Sequence, residues 1–114
     1  MATFEATTHP MTFAHMEGEV KTVYVVPRSS EYDHVSSGDR IEFEPLGSIT
    51  IGAIRAYDDL PALLEGEGIT NVVPDAETVD AAIEALRAGP EWNKRVEESR
   101  GVLALRVRAT KRKT

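Results

Sequence analysis

The sequence predicts an α+β fold, a small mixed β-barrel with two or three short helices packed on the outside. Three observations carry that expectation. Strand-like segments rich in β-branched and aromatic residues occupy the chain from Val20 to Tyr57. A helical apolar period replaces them between Asp58 and Leu86, and a strand-like segment returns from Val102 to Ala109. Strands, then helices, then a strand returning to the sheet fit a barrel better than a βαβ sandwich.

The first strand is expected over Val20 to Val26, where Val23-Tyr24-Val25-Val26 favours a pleated, buried backbone and Lys21 and Thr22 sit near the start. Pro27 ends it by removing an amide donor. Ser29 to Val35 has room for one helical turn, capped by Ser29 or Ser30, and Ser37-Gly38-Asp39 signals a turn. Arg40-Ile41-Glu42-Phe43-Glu44 alternates, with Ile41 and Phe43 facing inward. After a turn over Pro45 to Ser48, Ile49 to Tyr57 forms a longer strand in which Gly52 marks a bulge or a close backbone approach.

Asp58 or Asp59 then caps a short helix through Leu60, Leu63 and Leu64, with Pro61 in its first turn, and Gly66 and Gly68 end it. A longer helix starts near Asp75, where Val79, Ala82, Ile83 and Leu86 repeat at i, i+3, i+4 and i+7. Gly89 stops it and Pro90 opens a further turn. In the final strand Leu103, Leu105 and Val107 share one face, and Arg106 and Arg108 the other.

The chain has 114 residues, which suits one domain: an N-terminal segment over 1–16, the folded domain over 17–109 and a basic tail over 110–114. The absence of cysteine excludes a disulfide framework and a thiolate zinc site. No purely apolar run, Val23 to Val26 included, exceeds about four residues, against about 18 for a membrane span. With no signal peptide visible, a cytoplasmic monomer without membrane contact is expected. The net charge of -6 hides an asymmetry. Residues 1–86 hold four basic and sixteen acidic side chains; residues 87–114 hold nine and three. A polyanion would therefore meet favourable charge only near the C-terminus, where Lys111-Arg112-Lys113 reads as a frayed basic tail.

Several combinations of residue types lack the spacing that chemistry needs. His9, His15 and Glu17 show no metal-ligand spacing, so no metal and no cofactor is expected. Ser29, Ser30, Asp33 and His34 are sequence neighbours, which rarely align as a hydrolytic triad, and no Gly-x-Ser-x-Gly elbow is present. Neither a Walker loop nor a dinucleotide fingerprint follows any strand. Lys21 is different. A lysine within a mostly apolar strand either snorkels to water or is desolvated, and desolvation lowers its pKa toward that of a base. Tyr24, Tyr32, Tyr57 and Trp92 are the aromatics available to stack on bases.

In order and spacing, these residues resemble an ASCH domain of the PUA-like superfamily. The likeness rests on Gly18-x-x-Lys21-Thr22 opening a strand, then Arg28, then a helical turn. It continues through Ser37-Gly38-Asp39-Arg40-Ile41-Glu42-Phe43, through Ile51 to Tyr57 with Leu60, Leu63 and Leu64, and through the closing Gly101-Val102-Leu103-Ala104-Leu105. The resemblance implies a small β-barrel with helices across a cleft and an association with RNA. Some small ASCH proteins are amidohydrolases acting on N4-acetylcytidine, with the pattern Gly-x-Lys-x-x-Thr-x-Arg and a later glutamate. Here Lys21 matches, Tyr24 stands at the threonine position and Arg28 falls two places later.

Two functions follow as expectations. In the first, the domain is a module binding RNA through a cleft beside the Lys21 strand. Lys21 and Arg28 would contact phosphate or base edges, Tyr24 would stack, and Arg100, Arg106 and Arg108 would add sequence-independent affinity. In the second, the same cleft hydrolyses a modified nucleoside such as N4-acetylcytidine, with Lys21 as base, acting through a water or Thr22, and Glu67 assisting.

Overall fold

The computed structural model describes residues 1–113. Its core element is a five-stranded mixed sheet curled into a half-barrel. The strands are β1 (Thr3–Glu5), β2 (Val23–Pro27), β3 (Arg40–Phe43), β4 (Gly47–Tyr57) and β5 (Val102–Arg112). They lie in the order β1-β3-β4-β5-β2, with β1 parallel to β3 and every other pair antiparallel. The helices are α1 (Pro10–Glu17), α2 (Leu60–Glu67), α3 (Ile69–Val72), α4 (Val79–Arg87) and α5 (Lys94–Arg100), with a 3-10 turn at Ser30–Tyr32. The expected α+β class with a small mixed, curled sheet therefore stands, as a half-barrel where a barrel was expected and with more helices around it than two or three.

The sheet has apolar residues on both faces, and each face builds a core. On one face, Val26, Ile41, Phe43, Ile49, Ile51, Leu103 and Leu105 pack with Phe13 and Met16 of α1 and with Tyr32. On the other face, Val23, Val25, Val102 and Ala104 pack against Leu60, Leu63 and Leu64 of α2, Val72 of α3 and Ala82 of α4. This explains why β2 and the start of β5 read as continuous apolar runs: both faces are covered. The ladder between β4 and β5 shifts register between Thr50 and Ile51 and again between Ile51 and Ile54, so Gly52 lies inside the irregularity. A side chain at Gly52 would meet the Arg106 carbonyl and the Arg108 Cβ, each at 3.5 Å.

The two ends of the chain belong to the fold more fully than the expected boundaries allow. Residues 1–16 supply β1 and nearly all of α1. Asp39, buried, accepts hydrogen bonds from the Ala2 and Ser36 amides at 2.8 Å each and so ties the N-terminus to the turn before β3. At the other end β5 runs through Arg112, where a frayed tail was expected, and the Lys113 amide donates to the Leu46 carbonyl at 2.9 Å. The Arg112 guanidinium is held by Glu17, with Nε 2.9 Å from Oε2, and lies 5.2 Å from the centroid of the Phe13 ring. Thr114, the last residue of the expected tail, lies outside the described residues.

Candidate functional site

A cleft of about 370 Å³ opens between α1, β2, the 3-10 turn, the segment after α3 and the connection from α4 to α5. Lys21 forms part of its lining. Local geometry places it there: Glu19 takes a positive φ of 60°, and the Val20 and Lys21 amides both donate to the His15 carbonyl at 3.0 Å. The Thr22 amide donates to the Asn71 carbonyl at 2.9 Å, and β2 begins only at Val23. Lys21 thus lies in a connection clamped between α1 and α3 rather than on the strand.

The side chain of Lys21 is 5% exposed, and its ammonium donates to the Val72 carbonyl. Burial lowers its pKa from 10.5 to about 8, because the charged form loses hydration. Tyr24 and Tyr32 line the same cleft from β2 and the 3-10 turn. Each ring is backed by a phenylalanine: Tyr24 meets Phe43 edge-on at 5.2 Å, and Tyr32 stacks on Phe4 at 5.1 Å. Burial raises both phenol pKa values well above the usual range, and the nearby carboxylates of Glu31 and Glu91 push them further. The remaining polar lining includes His9, His15, Asp75, Trp92 and Asn93. A buried amine, two neutral phenols and three carboxylates offer donors and acceptors to a flat, polar ligand, with little net attraction for an anion.

The structure brings Lys21 and Tyr24 together and separates the other expected site residues from them. Arg28 lies beyond the end of β2, outside the cleft lining, with its amide donating to the Gly101 carbonyl at 3.0 Å. Arg100 is paired with Asp33 at 2.7 Å. Arg106 and Arg108 stand exposed on β5 outside the cleft, and Arg108 donates to the Ser37 hydroxyl at 2.7 Å. Neither Thr22 nor Glu67 lines the cleft. Glu67 accepts a hydrogen bond from the Tyr57 hydroxyl at 2.5 Å and lies 3.9 Å from Arg55. The expected catalytic trio of Lys21, Thr22 and Glu67 is thus not assembled.

Sequence reasoning missed the acidic members, Glu31, Asp75 and Glu91. Each stands next to a cleft residue in sequence, Tyr32, Pro74 or Trp92, but acid residues beside turns are too common to single out. His9 and His15 line the cleft, and among the described residues no group of three His, Asp or Glu side chains is placed to hold a metal ion. No described helix is long and apolar enough to cross a membrane.

Comparison with known proteins adds the fold. No protein-family model matches the chain. No curated protein matches it either. Among solved structures it is similar to the hypothetical protein PH0355, with a TM-score of 0.81 and 21% identity over 96% of this chain and 98% of that one. It is also similar to protein PF0455 from Pyrococcus furiosus, with a TM-score of 0.74 and 22% identity over 96% of each chain. At this identity the likeness speaks for the fold alone.

Proposed function

We propose that this protein is a PUA-like module of the ASCH type whose cleft binds a single nucleobase. The base is presented by a free nucleoside or by one nucleotide splayed out of an RNA strand. The observation that carries this reading is that one buried amine, Lys21, and two phenols, Tyr24 and Tyr32, line the same cleft of about 370 Å³. That volume sits near the low end of the range for small-molecule sites, about 300–1,000 Å³, and suits one nucleoside rather than a length of strand. The Lys21 amine would donate to a base carbonyl or ring nitrogen, and a phenol would give the base a stacking surface or a second donor. Arg28, Arg100, Arg106 and Arg108, expected to hold phosphates, stand outside this space, so recognition is of the base.

A hydrolytic reading has one observation in its favour, the lowered pKa of Lys21, which makes a neutral amine available near pH 8. In N4-acetylcytidine, water activated by that amine would attack the acetyl carbonyl. The C–N bond would break, acetate would leave and the exocyclic nitrogen would recover a proton. Amide chemical shifts recorded during titration with cytidine and then N4-acetylcytidine test both readings. Shifts clustered at Lys21, Tyr24, Tyr32 and Trp92 are expected, and their loss in Lys21→Met. Acetate release would carry the hydrolytic reading. Silence at the cleft with both nucleosides would overturn the proposal.

A further inference from the structure

One short helix outside the cleft is bonded to two of the segments that line it or flank it. One wall is the connection from α4 to α5, which contributes Glu91, Trp92 and Asn93 to the lining. The other is the 3-10 turn, which contributes Glu31 and Tyr32. None of residues 94–100 of α5 lines the cleft. Yet Glu97, at mid-helix, is only 5% exposed and accepts three hydrogen bonds. Two come from Arg87 at the end of α4, Nε to Oε1 at 3.1 Å and Nη2 to Oε2 at 2.6 Å. The third comes from the Trp92 indole at 2.8 Å. One turn later, Arg100 donates to Asp33 at 2.7 Å, immediately after the 3-10 turn. Asn93 caps α5 by accepting from the Val96 amide at 3.1 Å, so the helix start is fixed to the same wall.

From this arrangement we infer that Glu97 is a positioning residue for the cleft, holding the wall that carries Trp92. The inference rests on the cleft being the nucleobase site. A buried carboxylate that accepts a forked guanidinium and an indole has its oxygens directed in two fixed directions, so it holds the Trp92 ring at one angle to the cleft. Without it, the indole N–H and the Arg87 guanidinium lose their common acceptor, and the connection between α4 and α5 keeps its backbone turns, the Asn93 cap and the apolar packing of Trp92 but no side-chain bond that fixes the indole. The pair Arg100–Asp33 is more exposed, with each side chain near two-fifths accessible, so solvent weakens it. The two ends of α5 are therefore unequal: the Glu97 end fixes its wall, and the Arg100 end adds little.

Trp92 is the single tryptophan in the chain, so its fluorescence reports this wall directly. The experiment compares wild type, Glu97→Gln, Arg100→Gln and Trp92→Phe. It measures cytidine affinity by chemical-shift titration, acrylamide quenching of Trp92 where present, and thermal unfolding. Glu97→Gln should remain cooperatively folded, raise the quenching constant about twofold or more, and weaken cytidine about tenfold, the scale of a lost charge-assisted hydrogen bond. Arg100→Gln should change affinity less than about twofold. Trp92→Phe keeps a ring and the Arg87–Glu97 pair but removes the indole donor, and should weaken cytidine measurably with little change in unfolding temperature. A folded Glu97→Gln with wild-type quenching and affinity would overturn the inference. If Glu97→Gln does not fold, unchanged affinity in Trp92→Phe overturns it instead. If wild type fails to bind cytidine, the nucleobase reading falls, and the quenching comparison alone then decides whether Glu97 holds the wall.

Discussion

A buried lysine amine that donates to one backbone carbonyl sits in an environment that favours its neutral form. For Lys21 the folded-state pKa, about 8, lies below the ordinary 10.5. Below pH 8 both folded and unfolded chains carry the proton, and the fold bears the full cost of a poorly solvated charge. Between about 8 and 10.5 the folded chain has released a proton that the unfolded chain keeps, so stability rises with pH in that window. The rise attributable to Lys21 should approach about 3 kcal/mol. Tyr24 and Tyr32 act in the opposite sense, because their raised phenol pKa values make the unfolded chain ionise first, and they erode stability once the pH passes the ordinary phenol value. Urea unfolding of wild type and Lys21→Met at steps between about pH 7 and about pH 10 measures the difference. The wild-type curve should climb relative to the variant; parallel curves would mean that the ammonium reaches water.

At the scale of elements, the strands and the longer helices are legible in the sequence because their signals are local. Pro27 ends β2, Asp59 caps α2 by accepting from the Ala62 amide at 2.9 Å, and Thr78 caps α4 by accepting from Ala81 at 3.1 Å. Thr78→Ala should cost about 1 kcal/mol in urea unfolding with no change in nucleoside binding, since Thr78 does not line the cleft. Gly101 is a stricter case. It ends α5 at φ 86°, and a Cβ there would lie 2.5 Å from the Tyr57 carbonyl at the end of β4. Gly101→Ala should therefore cost about 2–3 kcal/mol, more than the cap, through both the left-handed backbone and the contact. What local signals do not carry is pairing across the chain. The parallel pairing of β1 with β3 was not anticipated, because three residues such as Thr3–Glu5 have no pattern of their own and pair through the Asp39 tie. The helix α1 was also missed, although Pro10 at its first turn and Phe13 and Met16 at i and i+3 are its signature. The cleft was half legible for the same reason. Lys21 and Tyr24 stand out as chemistry near one strand, whereas Glu31, Glu91 and Trp92 meet them only through tertiary packing.

At the scale of the molecule, the charge asymmetry of the sequence is partly cancelled by the fold. Arg100, Arg112 and Lys113 from the basic last quarter pair with Asp33, Glu17 and Glu44 from the acidic part. The basic strand β5 runs between β4 and β2 and so lies within the acidic part, not at a free end. The cleft walls carry Glu31, Asp75 and Glu91 against the one lysine, in a chain of net charge -6. An oligonucleotide approaching the cleft would meet these carboxylates with its phosphates, while a free nucleoside would bring no phosphate at all. The two should therefore separate by salt dependence. Cytidine affinity should stay constant within about twofold from about 0.05 M to about 0.5 M salt, since its contacts are hydrogen bonds and stacking. A short single-stranded RNA that relied on phosphate contacts would lose affinity with a log–log slope of about -0.7 per contact. The expected slope for this protein is shallow, about one contact or fewer, and Arg106→Ala with Arg108→Ala should abolish what slope there is while leaving cytidine binding intact. A steep slope that persists in that double variant would relocate the phosphate contacts to Arg28 or the Lys111–Lys113 end. It would make RNA, rather than the free nucleoside, the ligand around which the cleft is built.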